Sequence, residues 1–329
     1  MCWPSAPRFA TVYRVPKAGG PLSPNSPGPG IGPLRTWTRV RSSGVNISWT
    51  PSSAPMDIQA RNNVHVTGDS SLTLVLANGF GCDQNMWDRL LVELGDRYRI
   101  VRFDYVGSGK ADASEYDAAA YATLDGYASD LISVAKYAGG GPRVLIGHSV
   151  SAMIGVIAQK RSPGLFHAHV MIGPSPCYIN HDGYYGGFEH ADIEGLLEAL
   201  EFNYLGWAAG MAPSIMGAPA QPELSEELSN SFCRVDPDIA ARFARATFLG
   251  NNISDLPSVT VPVLVLQSKD DLIAPFVVGE HVSRTVPRGT LRVLDNVGHC
   301  PHLSVPKACA AEIRAFLSTI SSELAGNVE

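Results

Sequence analysis

A serine stands between a predicted strand and a predicted helix, in the sequence GHSVS at residues 147–151. The apolar run Val144–Ile146 predicts a buried strand, and Ala152–Lys160 predicts a helix that begins at once. This pattern is typical of a nucleophile elbow, which exposes a reactive serine on a sharp turn. Ser151 stands where the G-x-S-x-G consensus has its second glycine, but serine is also small. We therefore predict Ser149 as a nucleophile, the alternative being a serine that simply caps the helix.

A serine hydroxyl is a weak nucleophile and needs a base, which an acid must orient. His299 follows the last predicted strand and is predicted as the base, whereas the nearby competitor His302 is expected to be structural or pocket-lining. The acid should follow the preceding strand, where Asp270 and Asp271 are adjacent. We predict Asp271, which precedes Pro275 by four positions, and expect Asp270 to be exposed or to cap the turn.

Negative charge that develops on a carbonyl oxygen needs two converging backbone N–H groups, an oxyanion hole. We predict that one comes from Val150, directly after the nucleophile. The other is predicted from Phe80 in the loop NGFG, residues 78–81, for which a plain glycine turn is the alternative. The predicted lining of an apolar substrate pocket is Phe80, His148, Tyr178, Phe188 and Trp207.

Composition excludes several other classes of protein. The net charge is -6 and the pI about 5.8, which gives no reason to expect nucleic-acid binding, and no apolar run is long enough to span a membrane. The six cysteines are scattered without a CxxC pair, so we expect free thiols, a reducing cytoplasmic location and no metal site. The turn at residues 107–109 lacks the rest of a phosphate-binding or dinucleotide motif, and no cofactor is expected.

The elements that must position these residues alternate between strand and helix from Asp57 onwards. Such alternation predicts a mostly parallel, doubly wound sheet with helices on both faces. Between about Ile193 and Leu249 the pattern is helical, which predicts a lid over the carboxyl ends of the strands. The predicted strands are Val64–Val66, Thr73–Ala77, Arg99–Asp104, Val144–Ile146, His169–Ile172, Val261–Gln267 and Thr290–Leu294, and the other predicted helices are Met86–Leu94, Tyr121–Tyr137, Ala152–Lys160 and Lys307–Leu324.

Two segments of different character divide the chain. Residues 1–55 contain a stretch rich in Pro, Gly and Ser and are predicted to be a disordered extension. A transit peptide is one alternative, and translation that begins at Met56 is another. Residues 56–329 are predicted to form one domain, with the helical lid at about residues 176–253.

Several segments resemble one branch of the α/β-hydrolases, the branch of the bacterial stress-response hydrolase RsbQ and the plant karrikin and strigolactone receptors. The resemblance implies an α/β-hydrolase fold with a four-helix, V-shaped lid, and the triad Ser149, Asp271 and His299. The matching segments are NGFGCDQNMW (78–87), FDYVGSG (103–109), LDGY (124–127), GHSVSAMIG (147–155), GPSPCYIN (173–180), YGGFE (185–189) and GHCPH (298–302).

Two functions follow as hypotheses. The first is hydrolysis of a small apolar ester or lactone by a serine esterase. The second is a ligand-sensing regulator that binds a small hydrophobic ligand and hydrolyses it slowly. For such a regulator, the resemblance to RsbQ implies a partner in stress signalling, a PAS-domain PP2C-type phosphatase similar to RsbP. A cofactor-free haloperoxidase-like activity stays open, whereas Asp-nucleophile enzymes of this fold are disfavoured because the nucleophile position holds Ser149.

Overall fold

The computed structural model describes residues 57–326, so the predicted extension at residues 1–55 lies outside the described residues. Within the described range, seven strands form one sheet in the order β1-β3-β2-β4-β5-β6-β7. β1 is antiparallel to β3, and every other neighbouring pair is parallel. The strands are β1 His65–Thr67, β2 Thr73–Ala77, β3 Arg99–Arg102, β4 Arg143–His148, β5 Ala168–Ile172, β6 Val263–Asp270 and β7 Gly289–Val297.

The centre of the sheet carries the core. All five residues of β2 and of β5 are buried, as are five of the six in β4. Strands buried on both faces are continuous apolar runs, because helices cover a parallel sheet on each side. The predicted mostly parallel sheet is therefore confirmed, and the central strands are the ones the sequence located best.

Helices connect the strands, and some of them pack in pairs, such as α3 on α4 and α2 on α11. The prediction of one continuous helix over Lys307–Leu324 is wrong, because the helix is interrupted at Ile320. Outside the region between β5 and β6, the helices are α1 Ile58–Arg61, α2 Asp88–Leu94, α3 Leu124–Tyr137, α4 Val150–Arg161, α9 Phe276–Thr285, α10 Pro301–Ser304, α11 Pro306–Thr319 and α12 Ser321–Gly326. In the described residues, no helix combines the length and apolar character that a membrane span requires.

Between β5 and β6, residues 190–248 form four consecutive helices, within the segment that the sequence assigned to a lid. They are α5 His190–Phe202, α6 Tyr204–Met216, α7 Pro222–Phe232 and α8 Pro237–Phe248. Capping side chains start two of them: Asn203 accepts from the Gly206 N–H, and Asp236 from two N–H groups of α8. The set α5–α8 is called the lid below.

The carboxyl ends of the parallel strands place the predicted chemistry at one edge of the sheet. Ser149 directly follows β4, Asp271 directly follows β6, and His299 lies two residues after β7. The loop at residues 78–81 directly follows β2, the neighbour of β4. Residues far apart in the chain thus meet because parallel strands end at the same edge.

The core also contains a histidine that the site does not use. His169 of β5 is fully buried, and neither ring nitrogen has a hydrogen-bond partner in the described part of the chain. Burial lowers the pKa of this imidazole to about 3, so the ring is neutral in the folded protein at neutral pH. A histidine in the unfolded chain has a pKa near 6.5. Between about pH 6.5 and 3, the unfolded state therefore binds a proton at this residue and the folded state does not.

We expect stability to fall as the pH drops below 6.5 toward 3, and His169→Leu to weaken that dependence. The unfolded state binds the extra proton, which costs about 1.4 kcal/mol of unfolding free energy per pH unit for each such histidine. Urea denaturation at pH 7, 6 and 5 measures the slope. The exposed His190, changed to Gln, is the control. A His169→Leu slope equal to that of the unmodified protein would contradict this account.

Candidate active site

The backbone at Ser149 adopts the strained conformation of a nucleophile elbow. Its φ is +55° and its ψ is -123°, in a region that residues other than glycine rarely adopt. The Ser149 N–H donates to the carbonyl of Ile172 in the adjacent β5 (2.8 Å). A side chain at Gly147 would place its Cβ 2.8 Å from the Ser151 carbonyl oxygen, so only glycine allows β4 and α4 to approach this closely.

The three residues predicted as a triad lie in hydrogen-bond contact. His299 Nε2 is 2.7 Å from Ser149 Oγ, and His299 Nδ1 is 2.8 Å from Asp271 Oδ2. The other carboxylate oxygen of Asp271 accepts the backbone N–H groups of Ile273 (2.8 Å) and Ala274 (3.0 Å). With the carboxylate fixed, His299 carries its proton on Nδ1, and Nε2 is free to accept the serine proton.

The two competing residues occupy other environments. Asp270 is exposed, and its backbone carbonyl accepts the Gly298 N–H (2.8 Å). His302 is fully buried, with its ring centroid 4.9 Å from that of Trp87 and 4.5 Å from that of His148. Burial, with a smaller contribution from His299, lowers the pKa of His302 to about 3. The geometry thus favours Asp271 and His299 over these two neighbours, while their catalytic roles stay predictions.

The loop that carries His299 is bonded to the lid. The His299 N–H donates to the carbonyl of Ile215 in the last turn of α6 (2.8 Å). Gly217, which ends α6 with φ +61°, and Gly298, with φ +101°, allow the contact. A Cβ at Gly298 would lie 2.0 Å from the Met216 carbonyl oxygen. The lid and the loop of the predicted base therefore share a contact that only glycine permits.

His148 supports the same loop. Its Nε2 lies 2.9 Å from the His299 carbonyl oxygen. Burial, with smaller effects of His302 and His299, lowers the pKa of His148 well below its usual value. The ring is therefore neutral and donates its single N–H to the carbonyl. A Cβ at Gly79 would lie 2.4 Å from His148 Nδ1, so glycine is needed where the loop at residues 78–81 passes the ring.

The predicted oxyanion donors are both buried beside the serine. In the described part of the chain, no hydrogen bond uses the N–H of Phe80 or of Val150. The Val150 N–H is the first of α4, where the helix dipole favours negative charge. The Phe80 ring lines the same cavity as Ser149. Both groups are thus available for an oxyanion, which is what the prediction requires.

A small cavity of about 40 Å³ lies between Ser149 and the lid. Four of the five predicted pocket residues line it: Phe80, His148, Tyr178 and Trp207. Phe188 is not among its lining residues. The Phe188 N–H donates to the Tyr178 carbonyl (3.1 Å) and its carbonyl accepts from Asn180, so it holds the loop that carries Tyr178. Phe188 as a lining residue stays a prediction.

Sequence reasoning missed most of the wall that the lid supplies. Trp207, Met211 and Ile215 line the cavity from α6 at intervals of four residues, the spacing of one helix face. That spacing was visible in the sequence and could have found Met211 and Ile215. The complete lining is Phe80, Cys82, His148, Ser149, Tyr178, Leu196, Trp207, Met211, Ile215, Leu228, Phe232, Thr247, Phe248, Ile273, His299 and Cys300.

Elsewhere in the described residues, neither the larger cleft nor the metal-ligating side chains form a site of this kind. A larger cleft lies beside β7 and α11, lined in part by Arg288, Arg292 and Glu312, and it contains no residue of the predicted triad. Within residues 57–326, no group of three or more His, Cys, Asp or Glu side chains is arranged to hold a metal ion. The cavity at Ser149 is thus where the predicted reactive groups and a cavity coincide.

The fold and the cavity define the class of protein. A family model described as the alpha/beta hydrolase family matches residues 74–312. The chain belongs to this family, and the predicted fold class is confirmed.

Its relatives include plant proteins and a bacterial hydrolase. It is 39% identical over 250 residues to the karrikin insensitive 2 receptor CA of Petunia hybrida (76% of this chain, 93% of the relative). It is 38% identical over 256 residues to strigolactone esterase D14 of Arabidopsis thaliana (78% and 96%). A solved hydrolase structure from Oleispira antarctica is 39% identical, with a TM-score of 0.77 over 80% of this chain and 96% of the other. The predicted likeness to karrikin and strigolactone receptors is confirmed, and that to RsbQ itself stays a prediction.

The strain at Ser149 has a measurable consequence. We expect Ser149→Gly to have a higher free energy of unfolding than Ser149→Ala, by about 1 kcal/mol, because glycine adopts a positive φ without penalty. Both variants lose the hydroxyl, so their difference isolates the backbone. Chemical denaturation of the two variants measures it.

Ser129, half-buried on α3, is the control. The backbone at Ser129 is helical, so Ser129→Gly should have a lower free energy of unfolding than Ser129→Ala, by about 1 kcal/mol. If Gly were also the less stable choice at position 149, the elbow would not be strained.

Proposed function

We propose that this protein is a serine hydrolase that cleaves small apolar esters or lactones. The observation that carries the proposal is the contact of Ser149 Oγ with His299 Nε2 at 2.7 Å, inside a cavity whose other walls are largely apolar. Membership of the alpha/beta hydrolase family and the likeness to a strigolactone esterase support it.

The geometry supports a two-stage reaction. Ser149 Oγ attacks the substrate carbonyl carbon while its proton passes to His299 Nε2, and Asp271 stabilises the imidazolium that forms. The N–H groups of Phe80 and Val150 bind the oxyanion. The alcohol leaves with the proton from His299, and an acyl-serine remains. His299 then takes a proton from water, the hydroxide attacks the acyl carbon, and the acid leaves as Ser149 regains its proton.

The size of the cavity supports a small acyl group. A volume of about 40 Å³ holds only a few water-sized groups. Aromatic rings pack closely around Phe80: the ring centroids of Phe243, Phe232 and Trp207 lie 5.4, 6.0 and 6.1 Å away. A long acyl chain would have to displace these rings or the lid, whereas an acetyl group or a small lactone requires little movement.

We expect the protein to hydrolyse p-nitrophenyl acetate and Ser149→Ala to lose at least about 1,000-fold in kcat. From acetate to octanoate, kcat/KM should fall about 10-fold or more, because the longer chain does not fit the small cavity. Release of p-nitrophenol measures both, and intact mass after treatment with a serine-directed phosphonate should show a single adduct, which peptide mapping should place at Ser149.

Ser133 on α3 is remote in sequence and lies outside the cavity, so Ser133→Ala controls for the effect of replacing a serine. Equal activity of Ser149→Ala and the unmodified protein would refute the proposal. Absence of the adduct from a folded protein would refute it equally.

A second candidate function is supported by the relatives named as receptors. In a ligand-sensing regulator of the RsbQ or hormone-receptor kind, slow hydrolysis of a small hydrophobic ligand would change the surface offered to a partner. The bond between His299 and Ile215 supports this candidate, because a ligand that moves α6 also moves the loop of the base. For the RsbQ kind, the partner is a PAS-domain PP2C-type phosphatase. Five free cysteines in the described residues support a reducing, cytoplasmic location.

Pre-steady-state kinetics separate the two candidates. A regulator predicts a burst of one p-nitrophenol per protein followed by turnover slower than about 1 per minute, because release of the acyl group limits it. Binding to a PAS-domain phosphatase encoded beside the gene should then differ between the free and the acylated protein, measured by calorimetry. Rapid turnover without a burst, together with no binding in either state, would contradict the regulatory candidate.

A further inference from the structure

The second serine of the elbow, Ser151, occupies a position where the consensus motif has glycine, and its hydroxyl is hydrogen-bonded. Ser151 is fully buried on the first turn of α4. Its Oγ donates a hydrogen bond to the backbone carbonyl of Asn78. Asn78 is the first residue of the loop that carries Phe80, the proposed oxyanion donor. Ser151 of the elbow is thus bonded directly to the loop that carries the second proposed oxyanion donor, Phe80.

A tyrosine completes the arrangement. The hydroxyl of Tyr105, which is 1% exposed, lies 2.8 Å from Ser151 Oγ. Ser151 has one hydroxyl proton, which it donates to Asn78, so Tyr105 must be the donor in the second bond. Burial raises the pKa of Tyr105 far above its usual value, which keeps the phenol protonated. The bonds run in one direction, from Tyr105 to Ser151 to Asn78.

The side chain of Asn78 is bonded on both sides as well. Its amide nitrogen donates to the carbonyl of Phe103 (2.9 Å), and its amide oxygen accepts the indole N–H of Trp87 (2.8 Å). The Ser151 hydroxyl bonds the carbonyl of the peptide plane between Asn78 and Gly79. The next plane bears the Phe80 N–H, and its Gly79 carbonyl accepts the Cys82 N–H (3.2 Å). The two planes meet at the Gly79 Cα, so the position of the Phe80 N–H depends on both bonds.

We infer that Ser151 and Tyr105 are positioning residues that aim the Phe80 N–H at the oxyanion. The inference rests on the proposed hydrolase function. A preorganised donor stabilises the transition state because it needs no reorientation when charge develops. With Gly or Ala at position 151, the Asn78 carbonyl loses its hydroxyl donor, and the loop keeps only the bonds made at Gly79, at Gly81 and by the Asn78 side chain. The cost should then fall on the transition state more than on the bound substrate.

The test compares Ser151→Ala, Ser151→Gly, Tyr105→Phe and the double variant Ser151→Ala/Tyr105→Phe, with p-nitrophenyl acetate as substrate. We expect kcat to fall about 10-fold in both Ser151 variants, with KM changed less than about twofold. The inhibition constant of phenylboronic acid, whose tetrahedral adduct places an oxygen in the hole, should rise by the same factor as kcat falls. The pH midpoint of kcat should not move, since the contacts of His299 are unchanged.

Tyr105→Phe should show a smaller loss, and adding it to Ser151→Ala should cause no further loss, because Tyr105 acts through Ser151. A buried serine elsewhere supplies the matched control: Ser175 Oγ donates to the Cys177 carbonyl (3.0 Å). Ser175→Ala removes a similar bond and should lower the melting temperature without the loss in boronate affinity.

Three results separate this inference from the proposed function. An unmodified protein that is inactive and unlabelled by the phosphonate overturns both. An active unmodified protein with unaltered kcat and boronate inhibition in the folded Ser151 variants overturns the inference alone. Losses that are additive in the double variant, or that Ser175→Ala reproduces in boronate affinity, overturn it as well, because they indicate general destabilisation.

Discussion

The structure of the site depends on one strained residue, Ser149, whose backbone is forced to a positive φ between a strand and a helix. Strain of this kind persists only where the surroundings leave no alternative. Here β4 is buried, α4 starts without an intervening loop, and the Ser149 N–H is bonded to β5. Gly147 removes the Cβ that would keep strand and helix apart. Ser149, the predicted nucleophile, is therefore fixed between a buried strand and a buried helix start.

Around this residue, burial controls the charge of the histidines. His148 and His302 are both neutral at neutral pH, because burial lowers the pKa of each. A positive charge on either would oppose the imidazolium that the proposed mechanism requires at His299. The ring centroid of His148 lies 5.0 Å from that of His299 and 4.5 Å from that of His302. Of these three imidazoles, that of His299 is the one with a carboxylate beside it, 2.8 Å from Nδ1.

The sequence predicted what depends on local pattern and on the order of elements along the chain. Buried strands, the elbow and the positions of Asp271 and His299 follow from short motifs and from the common edge of a parallel sheet. Contacts between distant segments were not predictable in this way. The hydrogen bonds from Ser151 to Asn78 and from His299 to Ile215 depend on the close approach of segments that are distant in the sequence. No periodic pattern of residue types predicts such an approach. The pairing of Phe188 with Tyr178 was hidden for the same reason, although the aromatic character of both residues was visible.

Both loops of the site contact the lid, but through different helices. The loop of Phe80, the predicted oxyanion donor, is bonded to the sheet and to the elbow through Asn78, and to α7 through Ser231, whose Oγ donates to the Gly81 carbonyl (3.1 Å). The loop of His299 is bonded to α6 through Ile215, and Gly298 and Gly217 permit that contact. A substrate that enters under the lid presses on α6, since Trp207 and Ile215 line the cavity. A ligand that displaces the lid therefore acts on both loops, on that of His299 through α6 and on that of Phe80 through α7.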